Sequence, residues 1–401
     1  MKQKKIISYA KQTINSDDIQ EVKKALKGDF LTGGVHVKGF EESLKSILGA
    51  RYCSVCSSGT AALHLSTLAL GIGTKDIVLT SPITFLASAN SVIYTGANID
   101  FVDIENDSNN LNPNLLEDKI KYYRNKNKKI SLVIAVDYGG FPCNWKSLRY
   151  LANKYDFRLI NDNCHALGSK YFNKHNYAVK YADLVTLSFH PTKNITTGEG
   201  GAVLTNNKDI DNKIQIFRNH GINNFNKEKK IKFKGLWHYS MTHLGYNYRI
   251  TDFQCALGIN QLKKLDKFIK KRNIIASYYD KSFKNFDNLI TPIKNKNIYN
   301  SYHLYPLKIN FKSMIEKKMF FKYLYGYNVK LQVHYIPIFL QPYYKNILNK
   351  KTKDYPVSYN FYKKAVSLPI YPLLNLNEQN YVIRLIKRYF KKPQLIKNKN
   401  K

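Results

Sequence analysis

SFHPTKNITTGEGG, residues 188–201, sets one lysine, Lys193, among small, hydroxyl-bearing and turn-forming residues directly after the apolar run DLVTLSF. In a chain with 64 Lys and Arg among 401 residues, a lysine means little by type, so it is the placement that informs. An apolar strand that ends in a pinched, glycine-flanked loop holds a side chain at a fixed point, as a Schiff-base lysine requires.

Outward from this loop the chain alternates. From residue 51, RYCSVCSS, IVLTS, IDFVDI, ISLVIAVDY and FRLIND read as strands, separated by helical patterns at TAALHLSTLAL, TFLASANSVIYTG, NPNLLEDKIKYYRN and NWKSLRYLANKY. Short apolar runs alternating with longer helical ones give an α/β fold with a mainly parallel sheet between helices. Sites in such sheets gather beyond the carboxyl ends of the strands. Downstream, GGAVLTN adds a strand, and one long helical pattern over 250–283 closes a large domain at residues 1–283. A smaller C-terminal α+β domain over 284–393 is expected from strands at YHLYPLKIN and LQVHYIPI and helices at KSMIEKKMFFKYLYGY and NEQNYVIRLIKRYFKK, followed by a frayed tail at 394–401.

Hydrophobic residues at 44% and charged residues at 23% match ordinary globular usage and exclude intrinsic disorder. The formal net charge of +36 raises the question of a nucleic-acid partner. The lysines are spread along the chain with Asn, Ile and Tyr, as in NKNKK and KEKKIKFK, without an arginine stripe interleaved with aromatics. They read as a solvated surface that speeds the approach of a phosphate-bearing substrate, with no nucleic acid bound. No secretory h-region and no run near the ~18 apolar residues of a membrane span are visible, so a cytoplasmic protein away from the membrane is expected. Cys53, Cys56, Cys143, Cys164 and Cys255 are odd in number and scattered, which suits reduced thiols; Cys53 and Cys56 form a CxxC without a second ligand pair, and no metal site is expected.

Three groups besides Lys193 carry chemistry. In SSGTAALHL, Ser57, Ser58, Gly59 and Thr60 lead straight into a helix, where free N–H groups and the helix dipole favour a phosphate; an N-cap without ligand is the plainer reading. In NDNCHALGS, Asp162 closes a strand and His165 follows three residues on; the plainer reading is a helix-capping acid and a core histidine. If the acid faces a pyridinium nitrogen, opposite charges ~4 Å apart contribute ~4 kcal/mol at an effective dielectric near 20, enough to keep that nitrogen protonated. Phe85 in TSPITF follows another strand end and is either core or a wall for a planar ring. A phosphate cradle, a stacking ring, an acid for a ring nitrogen and a lysine together specify pyridoxal 5′-phosphate.

The set SSGTAAL, SPITF, DNCHALGS, SFHPTKNITTGEGG, LGYNYRITDFQCALG and VHYIPIFLQPYY resembles the DegT/DnrJ/EryC1/StrS sugar aminotransferases over nearly the whole chain. The resemblance implies the fold-type I pyridoxal phosphate architecture, with Lys193 as the Schiff-base lysine and proton shuttle. Asp162 would pair with the pyridine nitrogen, with His165 beside it near O3′. Gly59, Thr60 and Ser188 would hold the phosphate, and Phe85 would stack on the ring. Asn247 would reach the phosphate in the neighbouring subunit, which implies a homodimer with shared sites. Tyr9, the DFLT segment (Asp29, Phe30, Leu31, Thr32), Gln332, His334 and Tyr335 would line the substrate cleft, with His190 and His303 as structural neighbours.

HYIPIFLQPYY and SLPIYP are spaced as in the branch that aminates a UDP-linked 4-keto-6-deoxy-N-acetylhexosamine at C4, with L-glutamate as donor, in pseudaminic acid biosynthesis. Departures are Asn161 where the wider family often has an acid, Asp137 where it often has histidine, Phe141 where glutamine is common, and LWHYSM in place of a PWYYEM-like segment. Amination of a GDP-4-keto or dTDP-3-keto hexose is the alternative. From another class, a basic, cofactor-free binding protein would rest on net charge alone.

Overall fold

The computed structural model describes residues 6–223, 235 and 237–391; the expected tail at 394–401 lies outside them, as does Leu236 of the LWHYSM segment. A seven-stranded sheet is built from β1 (Tyr52–Cys56), β2 (Ile77–Thr80), β3 (Asn98–Phe101), β4 (Leu132–Val136), β5 (Arg158–Asp162), β6 (Leu184–Ser188) and β7 (Gly201–Thr205), in the order β1-β7-β6-β5-β4-β2-β3. β7 runs antiparallel to both neighbours, and every other pairing is parallel. Six strands therefore end at one edge of the sheet.

Period-two alternation decides what each face carries. In β5, Leu159 packs with Trp145, Leu148 and Phe268 on one side, while Ile160 packs with Ala62, Leu65 and Ala89 on the other. Both faces are apolar because both are covered. α2 (Val35–Leu48) and α6 (Trp145–Tyr155) lie on the first face. On the second lie α3 (Gly59–Ala69), α4 (Leu86–Ile93) and α8 (Lys208–Arg218), numbered after α5 (Pro113–Arg124) and α7 (Tyr177–Tyr181). α3 is buried nearly all round, its His64, Ser66 and Thr67 included, as befits a helix enclosed between the sheet, α4 and α8.

α1 (Ser16–Leu26) precedes α2, so DFLTGG is the turn between two helices. The long helix expected over 250–283 is two, α9 (Asp252–Leu262) and α10 (Leu265–Phe283). Neither Gly nor Pro marks the break. Lys264 caps α10 and binds Asp18 of α1 at 2.7 Å, a tertiary contact that sequence periodicity does not carry.

β8 (Leu289–Ile290), β9 (Tyr305–Ile309) and β10 (Ala365–Leu368) form an antiparallel sheet in the order β8-β9-β10. Its core takes in the C-terminal half of α10, with Ile275, Tyr279 and Phe283, and residues of α11 (Met314–Gly326) and α14 (Leu376–Lys391), numbered after α12 (Pro342–Ile347) and α13 (Pro356–Lys364). The strand expected at LQVHYIPI is an irregular extended segment with one bridge, Gln332 to Ser367. Pro337 has no N–H to add a rung, and the segment turns towards the large sheet instead of extending the small one. Ile7–Ser8 pairs in parallel with Val329–Lys330, and Ile370 N–H donates to the Tyr9 carbonyl at 3.0 Å, so the N-terminal segment is fastened beside this unit.

Candidate active site

The carboxyl ends of the parallel strands deliver the site. After β1, Ser58 caps α3: its Oγ accepts from Ala61 N–H at 3.1 Å and its carbonyl from Ala62 N–H at 3.0 Å. The N–H groups of Gly59 and Thr60 lie before the first intrahelical bond and point out of the helix end. Two glycines let the chains close here. A Cβ on Gly59 would lie 2.7 Å from Ser188 Cβ, and one on Gly201 would lie 2.3 Å from the Ser58 carbonyl oxygen. Ser188, at the end of β6, is thereby held against the α3 N-terminus.

At the end of β5, buried Asp162 accepts from Ser88 Oγ at 2.6 Å on Oδ2 and from Cys164 N–H at 3.2 Å on Oδ1. Ser88 lies on α4, one turn from Thr84, whose hydroxyl is 2.8 Å from its own. His165 is also buried. Gly139 N–H donates to its Nδ1 at 3.3 Å, so the ring proton belongs on Nε2, 3.0 Å from the Tyr335 hydroxyl. That hydroxyl accepts from histidine and keeps its own proton for the cavity. Burial, and next the nearby Lys193 charge, hold the His165 imidazolium well below the ordinary range, so the ring is neutral.

The lysine loop is tied at several points. Lys193 N–H donates to the His190 carbonyl at 2.9 Å, Thr196 Oγ1 to the Phe189 carbonyl at 2.9 Å, and Asn194 Nδ2 to the Leu167 carbonyl at 2.8 Å. Burial lowers the Lys193 ammonium below the usual lysine value, opposed by the negative potential of Cys164 and Asp162.

These groups face one cavity of about 720 Å³. Lys193, Asp162, His165, Ser188, Gly59, Thr60 and Phe85 all line it, and so do Tyr9, Gln332, His334 and Tyr335. His190 and His303, expected only as neighbours, line it too. Phe85 is 53% exposed, an aromatic face turned to open space. N–H donors at one end, a fixed carboxylate deep in the site, an amine and a flat apolar wall fit a phosphate-bearing aromatic aldehyde.

Asn247 and the DFLT segment are not in the cavity of this chain. Asn247 is exposed and bridges Asn219; Asp29, Phe30, Leu31 and Thr32 are exposed, with Thr32 bridged to Thr251. Ser88 went unnoticed in the sequence, although Thr84 and Ser88 four residues apart after a strand end mark a polar helix face.

Fold and cavity define a pyridoxal phosphate-dependent transferase of fold type I. The chain belongs to the DegT/DnrJ/EryC1/StrS aminotransferase family, which matches residues 12–387, and it is a nucleotide-sugar aminotransferase. It is 42% identical over 382 residues to the UDP-4-amino-4,6-dideoxy-N-acetyl-β-L-altrosamine transaminase of Campylobacter jejuni, spanning 94% of this chain and 96% of that one. Among solved structures it resembles the Helicobacter pylori aminotransferase PseC, involved in the biosynthesis of pseudoaminic acid, with a TM-score of 0.87, 30% identity and coverage of 97% and 100%. The PLP form of a putative sugar aminotransferase of Streptococcus pneumoniae aligns with a TM-score of 0.87 at 26% identity, covering 97% of this chain and 99% of that one.

Proposed function

We propose that the enzyme transfers the amino group of L-glutamate to C4 of a UDP-linked 4-keto-6-deoxy-N-acetylhexosamine, in pseudaminic acid biosynthesis. The observation that carries this is the single cavity shared by Lys193, Asp162, the α3 N-terminus and the Tyr9, Gln332, His334 and Tyr335 side chains. The names of the Campylobacter and Helicobacter relatives support the choice of sugar.

When bound, pyridoxal phosphate supplies the carbonyl that exchanges amino groups and a ring that draws electrons from the reacting carbon. The chain's residues do the rest. Gly59, Thr60 and Ser188 would hold the phosphate, Phe85 would cover one face of the ring, and Asp162, kept in place by Ser88 and the Cys164 N–H, would present its charge to the ring nitrogen. Lys193 would hold the cofactor covalently through Nζ. Its Nζ would take the proton from the amino-bearing carbon and deliver it to the cofactor's carbonyl carbon within the same half-reaction, and would carry a proton the opposite way in the second. Its depressed basicity leaves more of the free amine at neutral pH, as a general base needs. His165 stands beside Asp162 as a neutral donor, and Tyr335 offers its hydroxyl proton to a substrate oxygen.

Asn247 and the DFLT residues are exposed, and Thr32 bridges Thr251, four residues beyond Asn247. We assign them to the neighbouring subunit's site in a homodimer. The test offers purified enzyme L-glutamate with UDP-4-keto, GDP-4-keto and dTDP-3-keto sugars and detects the aminated product by mass spectrometry. Turnover of the UDP sugar, lost together with the visible absorbance of bound cofactor in Lys193→Ala, is expected. Preference for either other sugar refutes the substrate, and a Lys193→Ala protein that keeps band and turnover refutes the lysine's role.

A further inference from the structure

Behind Asp162, on the other face of the sheet, lies a second buried carboxylate that the chemistry above does not use. Asp137 follows β4 and is fully buried. Five donors converge on it. Cys143 N–H at 2.7 Å and Trp145 Nε1 at 2.9 Å reach Oδ1; the Tyr177 hydroxyl at 2.7 Å, Asn163 Nδ2 at 3.0 Å and Asn161 Nδ2 at 3.2 Å reach Oδ2. An ionised carboxylate accepts at about four lone-pair sites, and no other side chain of this size accepts so many donors. Burial pushes the carboxyl up and the donors draw it part of the way back, leaving it raised to about 6.

The partners matter more than their number. Asn161 and Asn163 flank Asp162 in the chain, and alternation turns their side chains away from the cavity while that of Asp162 points into it. Asp137 N–H also donates to the Asp162 carbonyl at 3.2 Å. The bonds to Cys143 N–H and Trp145 close the loop 137–145, and that loop supplies the Gly139 N–H that selects the His165 tautomer. One carboxylate therefore grips both neighbours of the acid and the turn that orients the histidine.

We propose that Asp137 is a positioning residue of the cofactor site, fixing the direction of Asp162 through Asn161 and Asn163 and that of His165 through the 137–145 loop. This rests on the assignment of Asp162 to the cofactor's ring nitrogen. The test measures the equilibrium Kd of pyridoxal phosphate, the near-UV and visible circular dichroism of the bound cofactor, and the thermal midpoint of the cofactor-free protein. It compares Asp137→Asn, Asn161→Ala, Asn163→Ala and Asp162→Asn.

Asp137→Asn is expected to raise Kd about tenfold and change the dichroism. Each asparagine variant should raise Kd by roughly threefold or more while the cofactor-free midpoint stays within about 3 °C of wild type. If Asp137→Asn does not fold, the asparagine variants decide. Kd within about twofold of wild type in all three, with Asp162→Asn clearly weakened, overturns the positioning role alone. Unchanged Kd and dichroism in Asp162→Asn as well overturns the assignment beneath it.

Discussion

His334 offers a quantitative test of how dry the cavity wall is. The side chain is buried, its Nδ1 lies 2.8 Å from Ser367 Oγ, and its ring centroid is 5.0 Å from that of Tyr9. Burial first, and the Lys193 charge second, bring its pKa down to about 3. In the unfolded chain the same ring titrates near ~6.5. Between these values the unfolded state carries a proton that the folded state lacks, so stability rises with pH from about 3 to about 6.5 and is level above. At pH 5.5 the loss relative to high pH is about 1.4 kcal/mol for this one ring, and the result needs only a folded value well below 5.5.

The assay is urea unfolding of the cofactor-free protein at pH 7.5 and 5.5, in wild type and in His334→Asn, whose amide can still pair with Ser367. His165, His303 and Asp137 titrate in both proteins and cancel to first order. Wild type should lose about 1.4 kcal/mol more than the variant on acidification. A difference under about 0.5 kcal/mol would mean that the folded ring titrates like a solvated one, refuting the argument from burial.

Two substitutions test the supports of the site. Ser88→Ala removes a buried hydrogen bond to a charged group and should cost roughly 1.5–3 kcal/mol in urea unfolding of the cofactor-free protein. It should also weaken cofactor binding in equilibrium titration; wild-type values for both would place Ser88 outside the support of Asp162. Gly201→Ala drives a methyl group to 2.3 Å from the Ser58 carbonyl, both of them backbone-fixed, so β7 or the α3 N-terminus must shift. Loss of soluble protein, or of phosphate-dependent affinity measured by pyridoxal phosphate against pyridoxal, is expected; an unchanged ratio in a folded variant refutes the cradle geometry.

The large sheet was legible because each strand is a short apolar run and each crossover helix has its own pattern, and local residues decide both. Lys193, Asp162, Gly59 and Phe85 shared that legibility, since a residue at a strand's carboxyl end is at the site by topology alone. The LQVHYIPI segment misled for a related reason. Its alternation of apolar and polar residues is that of a strand, but Gln332, Val333, His334, Tyr335 and Ile336 all line the cavity in succession, and of these only Gln332 bridges a neighbouring strand. Nothing local marks the break at Lys263–Lys264 either; the contact made there is with Asp18, some 240 residues away in sequence. Ser88 and Asp137 belong to the same class: their importance lies in partners that only the folded chain assembles.

That dependence on assembly also settles what the histidines can do. His165, His303 and His334 all line the cavity, and each is held neutral by burial, with the Lys193 charge adding to the effect. A charged imidazolium there would need desolvation without a nearby acid, since the carboxylates lining the cavity are Asp162, already bonded to Ser88, and Glu199 at the exposed rim. The three rings act as neutral hydrogen-bonding groups. Acidification towards pH 5.5 therefore costs stability and adds no positive charge on these rings beside the substrate. Among the described residues lining the cavity Lys193 is the one lysine and there is no arginine, so further positive charge for a phosphate-bearing substrate has to come from outside that lining.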